Sequence, residues 1–253
     1  MQTLYDTLLI FRYQMRLSLR NPVWVVIGLS SPLLYLALFG PLLTGVARSP
    51  GFPAGDAWQV FVPGLIVQLA MFGSGFVGFA IIAELRMGVI ERMRVTPVSR
   101  MALLLGRVMR DVVVLLVQSV LLILAAIAFG LRAPWLGVLL GLCFVPLLAL
   151  SMASLSYTAG LLTRDEDAFA PLVSMVSVPL MLLSGILLPM SLAPEWLYIL
   201  AHANPFLYIV EAMRSVFLGE YVTWTVFAGA AAAVLLAVLS VAFGTRTFRR
   251  QNM

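Results

Sequence analysis

Residues 60–83 read VFVPGLIVQLAMFGSGFVGFAIIA and carry no charge, and the charged run Glu84-Leu-Arg86 follows directly. A helix needs about 20 apolar residues to cross the hydrocarbon core of a bilayer, so this stretch is long enough to span it. Six such stretches run roughly from Val23 to Thr44, Val60 to Ala83, Val112 to Leu131, Gly137 to Leu162, Ala170 to Leu188 and Trp224 to Gly244. The sequence therefore predicts an all-α integral membrane protein with six transmembrane helices.

The composition agrees with a membrane protein. Hydrophobic residues make up 62% of the chain and charged residues 11%, whereas soluble domains average about 25% charged residues. The single cysteine, Cys143, lies within the fourth predicted span, which excludes a disulfide framework or a cysteine metal cluster in one chain. We assign no catalytic, cofactor-binding or metal-binding residue.

The arginines indicate the orientation, because the chain contains no lysine. One side of the predicted topology holds Arg12, Arg16, Arg20, Arg86, Arg92, Arg94, Arg100, Arg107, Arg110, Arg164, Arg246, Arg249 and Arg250, and the other side holds Arg48, Arg132 and Arg214. The positive-inside rule then predicts a multi-pass protein of the cell inner (plasma) membrane with both termini in the cytoplasm. The net charge of +5 is explained by topology, so no nucleic-acid partner is expected.

The absence of lysine also bears on the energy source. A Walker A loop needs its lysine on the nucleotide phosphates, so this chain cannot hydrolyse ATP by that route. Ion-driven transporters usually carry ionisable residues within the membrane, and the six predicted spans contain no Asp, Glu, His or Arg. Active transport by this protein would therefore draw its energy from another subunit.

The segment after the second span contains an amphipathic pattern from Glu84 to Val95. Apolar residues recur at near-helical spacing at Met87, Ile90 and Met93, while Arg86, Glu91, Arg92 and Arg94 project elsewhere. Thr96-Pro97 then ends the predicted helix. Two interpretations remain open, namely a solvated basic loop and a helix that docks in a groove of a cytoplasmic partner.

Residues 1–22 predict an N-terminal amphipathic interface helix, followed by a transmembrane domain at residues 23–253. The apolar stripe consists of Leu4, Leu8, Phe11, Met15 and Leu19, and Arg12, Arg16 and Arg20 stand four residues apart. This pattern is typical of a helix that lies on an anionic membrane surface, with lipid as its partner.

The stretch from Pro189 to Val222 is too long for a turn and too apolar for a solvated loop. It predicts two short helices separated by Asn204-Pro205. Glu211 and Arg214 stand at i and i+3 and are expected to pair, which would limit the cost of burying them. The alternative is that they form part of a substrate gate.

Several short motifs, taken in order, resemble the type-2 ABC transporter permeases, the ABC-2 family, in particular its daunorubicin-resistance and nodulation-factor exporter group. The motifs are Glu91-Arg-Met-Arg-Val-Thr-Pro97, Gly185-Ile-Leu-Leu-Pro189, Pro194-Glu-Trp196 and Asn204-Pro205 followed by Glu211-Ala-Met-Arg214. The resemblance covers nearly the whole chain.

The resemblance implies that six helices form one half of a transporter and that two copies of a separate ABC ATPase, which bind ATP and Mg, act on its cytoplasmic face. It also implies that the N-terminal helix lies at the membrane surface beside the ATPase, so anchoring and coupling both remain open as its role. The implied coupling helix contains Glu84, Arg86, Met87, Ile90, Glu91, Arg92, Met93 and Arg94. The second and fifth spans are implied to line the pathway, with Phe72, Phe76, Phe79, Met175 and Met181 as candidates. The implied extracellular re-entrant hairpin contains Asn204, Pro205, Glu211 and Arg214.

The expected function is the permease subunit of an ATP-driven exporter of a hydrophobic or amphipathic substrate, such as a drug, antibiotic or lipid-linked molecule. The expected partner is a second copy of the chain or a related permease. Polysaccharide exporters share the implied architecture, and a passive channel or membrane scaffold is the alternative from another class. An intramembrane enzyme is disfavoured, since Gly73-Ser74-Gly75 lacks the preceding glycine of a rhomboid-type motif.

Overall fold

The computed structural model describes residues 2–20, 23–46, 55–88 and 100–250, and this part of the chain is helical with no β-strand. The helices are α1 Gln2–Arg20, α2 Val23–Val46, α3 Ala57–Gly75, α4 Gly78–Arg86, α5 Arg100–Ala128, α6 Trp135–Thr163, α7 Glu166–Leu183, α8 Glu195–Ala201, α9 Pro205–Leu218 and α10 Trp224–Arg250. A short 3-10 turn at Met190–Leu192 precedes α8.

Six stretches within the described residues are long and apolar enough to cross a membrane, which confirms the expected number of spans. They are Val25–Leu43, Ala57–Arg86, Ala102–Ala128, Trp135–Thr163, Glu166–Leu183 and Trp224–Thr247. The second of these stretches comprises α3 and α4.

The third span begins ten residues earlier than the sequence predicted, at Ala102 rather than Val112, and ends three residues earlier, at Ala128 rather than Leu131. Helix α5 ends at Ala128 because Gly130 adopts φ +112°, a left-handed conformation that glycine reaches without steric cost. Because the span begins at Ala102, it contains Arg107, Arg110 and Asp111. The expectation that no span carries an ionisable residue is therefore wrong for this helix.

Two groups of buried apolar side chains form the interior. The large core joins α3 to α2, α9, the second half of α5 and the first half of α6. The small core brings together Ile81 and Ile82 of α4, Leu104 and Val108 of α5, Ala153, Tyr157 and Leu161 of α6, and Phe169 of α7. The boundary between the two cores falls where α3 gives way to α4.

Helix α6 is the central element and packs against α3, α4, α5, α9 and α10. Glycines permit these close contacts. A Cβ atom at Gly137 would lie 2.1 Å from the carbonyl oxygen of Val216, and one at Gly160 would lie 2.7 Å from the carbonyl oxygen of Gly78. Both distances are too short for a real contact, so any side chain at these positions would push the helices apart.

Helix α1 packs against the start of α5, where the side chain of Ile10 occupies the space that a Cβ atom on Gly106 would need. The buried face carries Thr7, Ile10 and Gln14 rather than the whole predicted apolar stripe. Leu8 and Leu19 of that stripe remain exposed. The exposed face of α1 is consistent with contact with a membrane surface, and this contact stays a prediction.

Candidate functional site

Ionisable side chains gather at one end of the bundle, which we call the charged end and define by Glu84, Arg107, Asp111 and Asp165. An ion pair joins Glu84 at the end of α4 to Arg107 of α5. The Arg107 side chain is 6% exposed and that of Glu84 is 19% exposed. Since the two residues flank the segment 89–99, this pair holds together the helix ends from which the segment emerges.

A second buried group lies one turn further along α5. The Tyr157 hydroxyl of α6 donates a hydrogen bond of 2.6 Å to Oδ2 of Asp111, and Arg110 forms an ion pair with Oδ1 of the same carboxylate. Arg107 and Arg110 of α5 are thus each paired with a carboxylate. Buried charges are tolerated when paired in this way, whereas removal of one partner leaves an uncompensated charge.

Arg86 links α4 to the start of α7 at the exposed rim of the charged end. Its guanidinium lies 3.3 Å from Asp165 and 3.4 Å from Glu166. All three side chains are about half exposed, so each pair contributes about 0–1 kcal/mol. Asp165 also caps α7, because its side chain accepts a hydrogen bond from the Asp167 backbone N–H.

The structure changes the prediction of one coupling helix from Glu84 to Val95. Glu84 and Arg86 belong to the end of α4, and Gly88 adopts φ +67° directly after it, which ends the helix. A single helix over the predicted range is therefore wrong at its start. Met87 is exposed. The remaining predicted coupling residues, Ile90, Glu91, Arg92, Met93 and Arg94, lie outside the described residues.

Three of the pathway candidates form one aromatic row along α3 and α4. The ring centroids of Phe72 and Phe76 are 6.4 Å apart, and those of Phe76 and Phe79 are 6.1 Å apart. Phe79 then meets Phe169 of α7 edge to face at 4.8 Å. The three predicted residues of the row are half-buried.

The two methionine candidates on α7 do not join this row. Met181 is half-buried against the large core, and Met175 is 80% exposed. That these five residues line a substrate pathway stays a prediction.

The opposite end of the bundle, which we call the hairpin end, contains α8 and α9 joined at Asn204-Pro205, as the sequence predicted. The Asn204 side chain accepts a hydrogen bond from the Phe206 N–H at 3.1 Å and donates one to the Leu180 carbonyl of α7 at 2.7 Å. Asn204 therefore caps α9 and satisfies a carbonyl in the last turn of α7. The re-entrant position of this hairpin in a membrane stays a prediction.

Arg214 of α9 is buried and binds backbone carbonyls. Its Nε donates to Val60 at 2.8 Å and its Nη2 donates to Gly185 at 2.6 Å. No ion pair between Arg214 and Glu211 occurs among the described residues, so the expected pairing is replaced by these hydrogen bonds. Burial lowers the pKa of Arg214 to about 10, which keeps it charged at neutral pH. Arg214 thus fastens α9 to the start of α3 and the chain after α7.

Sequence reasoning missed Asp111 and Tyr157 as paired buried groups, and it missed Ser156, which contacts the chain between α3 and α4. The signal for the first group was the spacing of Arg107 and Asp111, four residues apart on one helix face. The signal for the second was the pair Gly75 and Gly78 within an otherwise apolar span. Neither signal names the partner on α6, which is distant in sequence.

The fold and the site together define a polytopic α-helical membrane protein with paired charges at one end and a packed helical hairpin at the other. The sequence profile described as "ABC-2 type transporter" matches residues 5–218. The chain belongs to this family, as the motifs indicated. Members of this family are membrane transport subunits, and their ATPase is a separate subunit.

Several relatives align with most of the chain. A putative transport permease, ycf38, of Cyanophora paradoxa is 27% identical over 207 residues, which cover 81% of this chain and 71% of the relative. The daunorubicin resistance ABC transporter permease protein DrrB1 of Streptomyces coeruleorubidus is 22% identical over 233 residues, or 91% and 81% of the two chains. A probable doxorubicin resistance permease, DrrC, of Mycobacterium tuberculosis is 24% identical over 203 residues, or 79% and 72%.

Proposed function

We propose that the chain is the permease subunit of an ATP-driven exporter in the cell inner (plasma) membrane that moves a hydrophobic or amphipathic substrate outward. The observation that carries this proposal is the alignment of 91% of the chain with a permease named for daunorubicin resistance. Two copies of the permease, each bound to an ABC ATPase that holds ATP and Mg on its own residues, form the proposed transporter.

The charged end is the proposed contact with the ATPase. The arginine distribution supports a cytoplasmic location for this end, and the Glu84–Arg107 pair holds the ends of segment 89–99 together. A force applied to the segment, including Ile90, Glu91 and Arg94, would then act on α4 and α5 jointly. The exposed face of α1, with Arg12 and Leu8, is proposed to rest on membrane lipid beside this contact.

The aromatic row supports the proposed substrate class. Phe72, Phe76 and Phe79 offer half-buried apolar ring surface without a charged neighbour in the row, which suits a flat amphipathic molecule. Met175 is exposed on α7 and would face the same substrate in the assembled dimer.

The test is transport in proteoliposomes that contain the chain and the proposed partner ABC ATPase. Doxorubicin, which is fluorescent, serves as the probe. We expect ATP-dependent uptake into vesicles whose ATPase faces outward. Phe76→Ala lowers uptake by roughly two- to tenfold, because an aromatic contact contributes about 0.5–1.5 kcal/mol.

Phe243→Ala is the matched control and leaves uptake unchanged, since Phe243 is exposed on α10, a helix that packs mainly against α9, α6 and α5 rather than against α3 and α4. ATP-independent equilibration of doxorubicin would support the passive channel instead. ATP hydrolysis without doxorubicin movement would show that the substrate class is wrong.

A further inference from the structure

The second membrane span is interrupted. Helix α3 ends at Gly75 and α4 begins at Gly78, with Phe76 and Val77 in a turn between them. The N–H of Phe79 donates to the carbonyl of Phe76 at 3.2 Å rather than to that of Gly75. The regular i to i−4 hydrogen bonds are therefore lost at this point, which leaves the Gly75 carbonyl and the Gly78 N–H without helical partners.

Ser156 of α6 supplies both missing partners. Its hydroxyl accepts a hydrogen bond from the Gly78 N–H at 2.8 Å and donates one to the Gly75 carbonyl at 2.5 Å. Ser156 is 4% exposed. Water is absent from the hydrocarbon core, so an unsatisfied backbone group there is costly. A hydroxyl can donate and accept at once, which makes this side chain sufficient to stabilise the interruption.

Glycine packing brings the serine within reach of both groups. A Cβ atom at Gly78 would lie 2.4 Å from the backbone carbonyl oxygen of Ser156. The backbones of α4 and α6 therefore approach closely, and a short side chain can reach both sides of the turn. Any larger residue at position 78 would move α4 away from Ser156.

The interruption coincides with the boundary between the two cores. Residues of α3 belong to the large core, whereas Ile81 and Ile82 of α4 belong to the small core. Helix α4 also leads into segment 89–99 and carries Glu84, which pairs with Arg107. A change in angle between α3 and α4 therefore breaks no continuous helical hydrogen bonds and displaces the element next to that segment.

We propose that Ser156 is a positioning residue for transport, because its hydroxyl maintains the turn at Phe76 and Val77 as the hinge on which α4 rotates. The aromatic row straddles this hinge, with Phe72 before it and Phe79 after it. Rotation of α4 changes the spacing of these rings, which couples the charged end to the pathway. This inference rests on the proposed function, since the ATPase supplies the force on α4.

The test compares Ser156→Ala with Ser154→Ala in the proteoliposome assay. Ser154 is the matched control, since it is buried on the same helix and its hydroxyl has no hydrogen-bond partner among the described residues. We expect Ser156→Ala to retain ATPase binding and ATP hydrolysis, while doxorubicin moved per ATP hydrolysed falls about tenfold, as expected when two buried groups lose their partner. Ser154→Ala leaves this ratio unchanged, and Ser156→Cys, with a weaker donor and acceptor of similar size, gives an intermediate ratio.

A distance measurement tests the hinge without relying on transport. Spin labels are placed at Met87, after α4, and at Leu139, on α6, in a Cys143→Ser background; both positions are exposed. We expect ATP bound to the partner ATPase to shift this distance in the wild type and in Ser154→Ala, and Ser156→Ala to abolish or broaden the shift.

The outcomes separate the two proposals. Wild-type protein without ATP-dependent doxorubicin transport overturns the proposed function: the substrate class is wrong if ATP is still hydrolysed, and the exporter is wrong if it is not. Wild-type transport combined with an unchanged ratio in Ser156→Ala overturns the hinge alone. If Ser156→Ala fails to fold, the distance between the labels at positions 87 and 139 in otherwise wild-type protein tests the hinge. A distance that does not change when ATP binds the partner ATPase overturns it.

Discussion

Glu84 and Glu166 each pair with an arginine, but the pair of Glu84 with Arg107 is buried and the pair of Glu166 with Arg86 is exposed, so the two glutamates contribute differently to stability. We predict that Glu84→Ala lowers the free energy of unfolding by about 3–5 kcal/mol, because Arg107 is left charged and buried without its partner. Reversible unfolding in mixed micelles, followed by circular dichroism, measures this change.

Glu166→Ala is the control for that prediction. Glu166 also pairs with an arginine, at 3.4 Å from Arg86, but both side chains are about half exposed. Its removal should change the free energy of unfolding by at most about 1 kcal/mol. Equal losses in the two variants would contradict the burial argument.

Glu211 gives a pH-dependent prediction. Burial raises the pKa of its carboxyl, and the positive charges of Arg214 and His202 oppose this only in part. The folded state therefore holds the proton more tightly than the unfolded state. The contribution of Glu211 to stability is present below the ordinary pKa of 4.5 and is lost as pH rises through the raised value.

Glu211→Gln should accordingly match the wild type in acid and have the higher melting temperature at neutral pH. Solvent screening keeps the gain below about 1 kcal/mol, since the side chain is only partly buried. Melting temperatures measured from pH 4 to pH 8 give the comparison, with Glu220→Gln as the exposed control. A wild-type advantage at neutral pH would mean that Glu211 has a partner that stabilises its charged form.

At the scale of elements, hydrophobic runs predicted the number of spans correctly because desolvation of the backbone dominates membrane insertion. The same runs misplaced α5. Arg107, Arg110 and Asp111 read as loop residues by hydropathy, whereas pairing with Glu84 and Tyr157 makes their burial tolerable. A hydropathy pattern contains no information on partners from other helices, so it left the paired charges out of α5 and began this span too late.

The hairpin and the coupling segment also show what local sequence patterns can and cannot predict. Asn204-Pro205 is a local signal for a helix start, and α9 does begin there. The partner of Arg214 was predicted from spacing within α9, yet the guanidinium binds carbonyls of Val60 and Gly185. Gly88 ended α4 although the amphipathic pattern continues past it, because a left-handed glycine overrides a weak periodic signal.

At the scale of the whole molecule, the distribution of exposed apolar surface separates the helices into two groups. Helices α3 and α6 each carry more buried residues than any other described helix, while α2, α7 and α10 expose large apolar side chains such as Leu38, Met175 and Leu239. Lipid or a second copy of the chain can cover these faces. The central position of α6 explains why its serines and glycines, rather than its largest side chains, determine the geometry of the span formed by α3 and α4.

The orientation of the molecule is the last prediction. In a Cys143→Ser background, a cysteine at Val222 marks the hairpin end and one at Arg246 marks the charged end; both positions are exposed. If the arginines specify the cytoplasmic side, a membrane-impermeant maleimide labels Val222→Cys in intact cells and labels Arg246→Cys only after permeabilisation. The reverse pattern would place the charged end outside the cell, where no ATP is available, and would overturn the proposed contact with the ATPase.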